Sequence, residues 1–391
     1  MEKLTKIKLL FHSVAITLLT WLLIYYGLSA VLSQDVFTVL DRTSDFKMTD
    51  VYQYIDDTSV DRCISESVVV VGMDGGSRDS ITNTIRCLHK MGASAIGVDF
   101  IFPYYQNYET DSLLLQTFRE TPNVVLASVV KKNKDDSFKR MDGLIMQNVP
   151  GVKYGIINLP PHSNREIIRS IRPYFSLQDS IGLIQVPAFS TMLAFVKDSL
   201  AVSNLLSRLS FDKLEEDILF SRIEIESFPY DSLLHSSDSY YAECVNGKVV
   251  LLGDLHNKGD MFLTPIRGEI PGVMIHAYAV NMMLSGHFIS RSSEFLNWFV
   301  AIILCWLFSM CNLCAKWYTD QWGNFIMRIV QLVLMFILLI IGSKLYTCSG
   351  NYFDFSYSIL MVGISTLSFD LWCGLDSAWV NFIRFVKTKI K

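Results

Sequence analysis

Long apolar runs lie at the two ends of the chain. Near the N-terminus, residues 9–32 form 24 consecutive positions without Asp, Glu, Lys or Arg. A helix of that length crosses the hydrocarbon core, which is about 30 Å thick, at about 1.5 Å per residue. Three further apolar runs of the right order of length occupy residues 295–315, 329–346 and 355–374. The pattern therefore predicts four membrane-spanning helices, one N-terminal and three C-terminal.

Two of these spans have alternatives. Lysines precede the first run and Leu28-Ser29-Ala30 resembles a cleavage site, as in a signal peptide. The run is longer than the apolar part of a signal peptide, about 7 to 15 residues, and this favours an uncleaved anchor. Asp354 borders the last run and Asp370 lies in its final turn, so a buried structural helix is the alternative there.

Between the ends, strand and helix patterns alternate. Residues 68–73 form a continuous apolar, β-branched run, which is typical of a strand buried on both faces of a parallel sheet. A helix over 81–91, a strand over 95–100, a helix over 111–120 and a strand over 124–130 follow. This βαβαβ order predicts an α/β domain with a largely parallel, Rossmann-like sheet.

The second half of this region is less regular. The charged stretch 131–142 predicts a solvated loop, and apolar positions at helical spacing predict a helix within 187–208. Residues 249–252 predict another buried strand. The segment 209–246 mixes charged and aromatic residues, and a subdomain and an edge hairpin are both open there.

Composition limits the class of protein, and the distribution of charge predicts on which side of the membrane this domain lies. The chain is 51% hydrophobic and 18% charged, which excludes a disordered chain, a nucleic-acid-binding basic protein and a disulfide-rich miniprotein. Residues 33–294 carry 24 basic and 33 acidic side chains, whereas the rest carries 10 basic and 5 acidic ones. By the positive-inside rule both termini are predicted to be cytoplasmic, and residues 33–294 extracytoplasmic.

The number of cysteines in the predicted exported region does not allow a complete set of disulfides. Three of the eight, Cys63, Cys87 and Cys244, fall in the predicted exported region, and an odd number leaves at least one unpaired. Cys63 and Cys244 each precede an apolar strand, so one bridge between them is a candidate.

Polar residues gather where the predicted strands end. Ligands of parallel sheets bind beyond the carboxyl ends of the strands, and carboxylates are hard oxygen ligands for cations. The candidate ligand-binding residues are Asp74, Ser77, Asp99, Asp260, Thr264 and His276, with Asp254 beside them. The alternative for each is structural, because such residues also cap turns and helices and a buried histidine needs a partner in any case.

Enzyme motifs are missing from the sequence. It contains no nucleophile elbow, dinucleotide or phosphate loop, or His-Glu-x-x-His pair. Asp254-x-His256 followed by Asp260 is a weak metal-site pattern, so no metal and no cofactor are predicted. Two kinds of function stay open at this point, an exported hydrolase and a membrane scaffold that assembles partners.

Several different motifs follow one another along the predicted exported region. Residues 68–77 end in Asp-Gly-Gly-Ser, residues 92–100 read Gly-Ala-Ser-Ala-Ile-Gly-Val-Asp-Phe, and residues 249–277 contain Val-Val-Leu-Leu-Gly-Asp and Pro-Gly-Val-Met-Ile-His-Ala before the next span. In order, spacing and membrane layout over residues 45–375, the chain resembles the type-two CHASE domain, the cyclase and histidine-kinase associated sensory extracellular domain of bacteria. The resemblance implies a sensory, non-catalytic protein of the bacterial inner membrane.

The chain departs from that pattern twice. Family members usually carry Asp-Gly before Val-x-Arg in mid-domain, where residues 164–169 here share only Arg169. In many members the last span leads into an output module, whereas about 17 residues follow Gly374. We therefore expect the partners to be the lipid bilayer, an unknown small ligand, a separate cytoplasmic or membrane signalling protein and, as a further candidate, a second copy of the chain. Nucleic acid is not expected, because the exported region is acidic.

The expected organisation has four parts. Residues 1–32 are the anchor, 33–294 the sensory domain, 295–374 three spans and 375–391 a basic tail. Apolar residues in the tail recur at helical spacing from Trp379 to Ile390, with four basic residues largely elsewhere. The tail is predicted to be either an amphipathic helix on the anionic inner leaflet or an ordinary basic membrane flank.

Overall fold

The chain divides into two compact units. The structure, a computed structural model, describes residues 2–32, 47–59, 61–132, 138–140, 149–159, 167–179, 182–208, 215–235, 239–318 and 321–390. One unit consists of Met1–Ile55 with Ser290–Lys391, and the other is Asp56–Ile289. The division falls within helix α2 (Met48–Ser59). The sequence patterns did not predict this helix.

In the described part of the first unit, four helices are long and apolar enough to cross a membrane. They are α1 (Glu2–Leu32), α10 (Glu294–Tyr318), α11 (Gln321–Ser349) and α12 (Ser356–Ile390). A short parallel pair, β15 (Ser290–Arg291) and β16 (Asn351–Tyr352), precedes α10 and α12 in the chain. The four predicted apolar helices are confirmed. The last one is longer than predicted, because it continues without interruption to Ile390.

A six-stranded parallel sheet forms the centre of the second unit. Its order is β11-β1-β12-β2-β3-β6. The strands are β1 (Cys63–Gly72), β2 (Ala95–Val98), β3 (Val124–Ser128), β6 (Lys153–Ile156), β11 (Ile223–Pro229) and β12 (Val249–Gly253). The predicted buried strands of the βαβαβ unit and the strand at 249–252 are confirmed, as is the parallel direction.

Helices cover both faces of this sheet, because successive strand residues point to opposite sides. Val69 and Val71 face a core with α3 (Arg78–Lys90), α4 (Tyr108–Glu120), α7 (Tyr230–His235) and α8 (Ser239–Val245). Val68 and Val70 face the other core, which contains α5 (Phe189–Lys197), α6 (Ser199–Arg208) and α9 (Gly272–Ser285). This two-sided burial explains why the strands are apolar throughout.

Three predictions for the second half need correction. The charged stretch 131–142 is not only a loop, because β4 (Val130–Lys132) and β5 (Phe138–Arg140) pair antiparallel across it. The single helix within 187–208 is two helices, α5 and α6, separated at Asp198. The segment 209–246 holds β11, which joins the edge of the main sheet parallel to β1 instead of forming an edge hairpin. Hydrophobic periodicity does not distinguish these pairings.

Smaller sheets complete the second unit. β8 (Tyr174–Asp179) and β9 (Gly182–Pro187) are antiparallel and join β4 and β5 in a four-stranded sheet. β7 (Ser170–Ile171) pairs with β10 (Glu216–Asp217). β13 (Met261–Thr264) and β14 (Gly268–Pro271) form a hairpin that leads directly into α9.

Candidate functional site

The carboxyl edge of the main sheet brings three aspartates together. Asp74, Asp254 and Asp99 follow β1, β12 and β2, which are neighbours in the sheet. The backbone fixes this row just beyond the ladder: the Met73 N–H donates to the Gly253 carbonyl at 2.9 Å, and the Asp99 N–H donates to the Leu252 carbonyl at 2.8 Å. Parallel pairing of buried strands therefore places three carboxyl groups at one edge.

Asp74 holds the loop that follows β12. Its Oδ1 accepts the N–H of Leu255 at 2.8 Å and that of His256 at 3.2 Å, while its Oδ2 lies 2.8 Å from Nδ1 of His256. Burial acts to raise the pKa of Asp74, but hydrogen bonds from the groups around it, among them His256 and the Leu255 amide, outweigh it and lower that pKa. Asp74 is therefore an ionised, well-partnered carboxylate.

Asp260 extends the row of carboxyl groups to the start of α9. It ends a single 3₁₀ turn, Lys258–Asp260, and accepts a hydrogen bond from the Gly272 amide. A Cβ atom at Gly272 would lie 3.0 Å from both carboxylate oxygens, so glycine permits this approach. Burial raises the pKa of Asp260, the Gly272 amide opposes that shift, and the negative charge of Asp254 adds to it.

Asp99 is the most perturbed member of the row. Burial, followed by the nearby charge of Asp260, raises its pKa to about 7. Asp99 is thus poised to exchange a proton near neutral pH. A carboxyl group of this kind, beside other carboxyl groups at a strand end, is a functional-site candidate, although structural networks also perturb pKa values.

The row does not have the geometry of a metal centre. Within the described part of the chain, no three His, Cys, Asp or Glu side chains are placed to hold a metal ion together. His256, which the weak Asp254-x-His256 pattern suggested as a ligand, contacts Asp74 and is otherwise largely exposed.

Two of the predicted ligand-binding residues have local structural partners. Ser77 is the N-cap of α3, where its Oγ accepts the Ser80 N–H at 3.2 Å. Thr264 is buried at the end of β13, next to the turn that leads to β14, where its hydroxyl donates to the Gly268 carbonyl at 2.9 Å and accepts the Arg267 N–H at 3.2 Å. Ser77 therefore caps a helix, and Thr264 stabilises a turn.

His276 lies in the core on α9. Its Nε2–H donates to the Ile157 carbonyl at 3.2 Å, and its ring packs edge-on against Phe189 with the ring centroids 5.5 Å apart. Burial lowers its pKa to about 4, against a smaller opposing effect of the Ile157 carbonyl, so the imidazole is neutral. Nδ1 is buried and has no hydrogen-bond partner among the described residues.

The candidate disulfide is not formed. Cys63 and Cys244 are both free thiols, the first exposed at the start of β1 and the second partly buried in α8. A position shortly before a strand in the sequence does not by itself bring two thiols within bonding distance.

Sequence patterns missed the pair of residues that orders the loop after β2. Arg78 and Asp111 form a buried ion pair, and the Arg78 guanidinium also donates to the Tyr104 carbonyl. Asp111 accepts the N–H groups of Gln106 at 2.7 Å and Asn107 at 3.1 Å. Arginine and aspartate in the first turns of two amphipathic helices resemble ordinary surface residues, so the sequence offered no signal for this pairing.

The comparison with protein families is decisive for identity. The model of the CHASE2 domain matches residues 16–313, which is more than half of the chain. The chain belongs to the CHASE2 domain family. The match covers about half of α1, the whole parallel-sheet unit and most of α10, and it confirms the resemblance seen in the sequence motifs. No curated protein and no solved structure matches the chain.

Family membership gives this chain a sensory domain and fits a non-enzymatic role. Arg169, the residue shared with the mid-domain motif, is buried in the CHASE2 domain, and its backbone carbonyl accepts the Ile218 N–H at 2.7 Å. The rest of the corresponding turn, up to residue 166, lies outside the described residues.

Proposed function

We propose that this protein is a multi-pass receptor of the bacterial inner membrane. Its extracytoplasmic CHASE2 domain senses a small ligand, or the state of the cell envelope, at the carboxyl edge of the sheet. The change is passed along the chain to the membrane helices and from them to a separate signalling partner, with both termini in the cytoplasm. The observation that carries this proposal is that α2 is anchored by buried contacts in both units.

The first part of α2 is anchored through Tyr52. This side chain is fully buried, and its hydroxyl donates to the Phe353 carbonyl at 3.2 Å. The Ser343 hydroxyl donates to the backbone carbonyl of Tyr52 at 3.0 Å, and the rings of Tyr346 and Tyr352 lie about 6 Å away, at 6.2 and 6.1 Å. At Gly342, a Cβ atom would lie 2.4 Å from the Tyr52 hydroxyl oxygen, so the pocket fits this ring closely.

The last part of α2 is anchored through Asp56 and Asp57. Arg222 makes a two-pronged contact with the buried Asp56, including Nε to Oδ2 at 2.6 Å. Asp57 accepts Nη2 of Arg62 at 2.7 Å and lies 3.3 Å from Nη2 of Arg267. Burial acts to raise the pKa of Asp57, but these two arginines and the Arg222 amide lower it.

The arginine contacts reach into the sheet. Arg267 also donates to the Phe220 and Ile223 carbonyls at 2.7 Å each, and Ile223 begins β11. Arg222 has φ of 63°, the one positive value among the non-glycine residues that the structure describes. Such a conformation is strained for a side chain with a Cβ atom and persists where surrounding contacts enforce it. A shift of the sheet edge would therefore act directly on the Asp56 end of α2.

Transmission is tested in growing cells with a biotin ligase fused to the C-terminus. The wild type, Asp56→Asn and the double variant Asp99→Asn/Asp260→Asn are compared at matched expression, with the exposed Asp61→Asn as control. We expect a discrete neighbour to be labelled in the wild type and the control, and its labelling to change in both test variants. Equal labelling in all four would refute transmission and favour a scaffold.

The double variant also tests the ligand edge. Its thermal unfolding is measured on the full chain in detergent. If signalling is lost while the unfolding temperature stays near that of the wild type, the row of carboxyl groups is sensory. A large loss of stability would instead assign Asp99 and Asp260 to the fold alone.

A further inference from the structure

The C-terminal part of α12 leaves the packed membrane helices as an isolated helix. Phe369 is buried with Ile16 and Leu313, and Trp372 and Cys373 are the last residues of α12 in that cluster. Beyond Cys373, the side chains are exposed or, at Val386, half-buried up to residue 388. Residues 374–390 therefore extend by roughly 25 Å, at about 1.5 Å per residue.

The end of the packed region coincides with charged groups. Lys316 lies over the Phe369 ring, 5.5 Å from its centroid, and Arg328 pairs with Asp370 at 2.9 Å. Charged side chains of this kind mark the boundary of the hydrocarbon core, since they are costly inside it. The isolated helix thus begins close to the headgroup layer.

This helix has an apolar stripe that nothing in the described structure covers. Leu375, Trp379, Phe382, Ile383 and Val386 follow helical spacing, and the rings of Trp379 and Phe382 stack with their centroids 6.0 Å apart. An isolated helix of this length is marginal in water, because most helix stability in proteins comes from packing of the apolar face. A stable helix here therefore requires another surface that covers the apolar stripe.

The charge of the helix indicates which surface covers the stripe. Arg384 and Lys387 lie on the helix beside a single acidic residue, Asp376, and the sequence adds Lys389 and Lys391. A second copy of the same helix would bring like charges together, whereas anionic lipid headgroups attract each basic residue and accept the apolar stripe beneath them.

The helix also has a point at which it can bend. Gly374 directly follows the last packed residue, and a Cβ atom at this position would have no neighbour within 4 Å. Glycine is the poorest helix former after proline, because its backbone is the most flexible. A bend there would lower the stripe onto the membrane without disturbing the packed part of α12.

We propose that residues 374–390 form an amphipathic helix that bends at Gly374 and docks on the anionic headgroup surface of the membrane that α12 crosses. This interaction is independent of the ligand edge of the CHASE2 domain.

The test uses the full chain in nanodiscs, with a donor dye attached at the C-terminus and an acceptor dye on the lipid. Energy transfer is compared between discs of phosphatidylcholine alone and discs that also contain phosphatidylglycerol. We expect transfer to be higher in the anionic discs and to fall when salt is added, because salt screens surface charge. Removing one basic residue, in Lys387→Gln, should weaken docking about fivefold.

A matched pair of variants separates the stripe from general hydrophobicity. Ile383 and Val380 are 37% and 39% exposed, but only Ile383 lies on the stripe, since Val380 points roughly 115° from its centre at about 100° per residue. Ile383→Gln should lower the transfer in anionic discs, and Val380→Gln should not. Gly374→Ala, which stiffens the bend, should lower it as well.

Two results would overturn the proposal. One is equal transfer in both kinds of disc, which means that anionic headgroups do not draw the helix to the surface. The other is a change in transfer that appears only when cytosolic protein is added, which means that a protein and not the lipid surface covers the stripe.

Discussion

Asp99 makes the stability of the CHASE2 domain depend on pH in a direction unusual for an aspartate. Its pKa is raised from 3.8 to about 7, so the folded protein keeps this proton at a pH at which the unfolded chain has lost it. Stability from this group is complete below about pH 4 and is lost as the pH rises through about 7. Three pKa units correspond to about 4 kcal/mol, of which about 2 to 3 fall between about pH 5 and about pH 8.

The expected effect is smaller than this limit, because Asp99 retains some exposure to solvent. We expect about half of the 2 to 3 kcal/mol, roughly 1 kcal/mol of unfolding free energy. A change of this size shifts the unfolding temperature of a domain this large by about 2 to 4 °C. Asp99→Asn has no proton to lose, so its unfolding temperature should fall less than that of the wild type between the two pH values. The difference between the two proteins is the quantity to measure.

The assay is thermal unfolding of the full chain in detergent at both pH values. His276, whose pKa is lowered to about 4, destabilises the fold as the pH falls below about 6.5, but equally in both proteins. Asp61→Asn controls for loss of an exposed carboxyl group. If Asp99→Asn and the wild type lose the same stability between the two pH values, the assignment of a raised pKa to Asp99 is wrong.

Two further predictions concern stability. Gly342→Ala should cost about 1 to 3 kcal/mol, because the new Cβ atom would overlap the Tyr52 ring; an unfolding temperature equal to that of the wild type would show that the pocket is looser than described. Ser77→Ala should cost about 1 kcal/mol through loss of the α3 N-cap, measured in the same way, with Ser203→Ala on the exposed face of α6 as control; equal effects of the two changes would contradict the capping role.

Several elements were predictable because their sequence pattern is local. The runs that became β1, β2, β3 and β12 are apolar on both faces, and only a sheet covered by helices on both sides buries such strands. The order of strands and helices then fixed the parallel direction, since a crossover connection returns the chain to the same edge. The row of Asp74, Asp99 and Asp254 follows from that topology.

Other features depend on partners that are distant in the chain. The short strands β4 and β5 pair with each other across a segment that reads as charged, because a few ladder bonds are enough once a larger core holds the ends. The Asp56–Arg222 and Arg78–Asp111 pairs join residues 166 and 33 positions apart. In the sequence, an arginine or aspartate gives no sign of whether its partner is water or a buried opposite charge.

The sequence by itself determined the four long apolar helices and the class of the domain. Length and hydropathy are properties of each segment alone, so four helices long and apolar enough to cross a membrane, and an α/β unit, could be stated before any contact was known. Tertiary structure alone decided the state of individual polar groups. A Thr264 that stabilises a turn, a neutral His276 in the core and an Asp99 that titrates near pH 7 differ in burial and in neighbouring charge. Both quantities arise only when distant segments pack together.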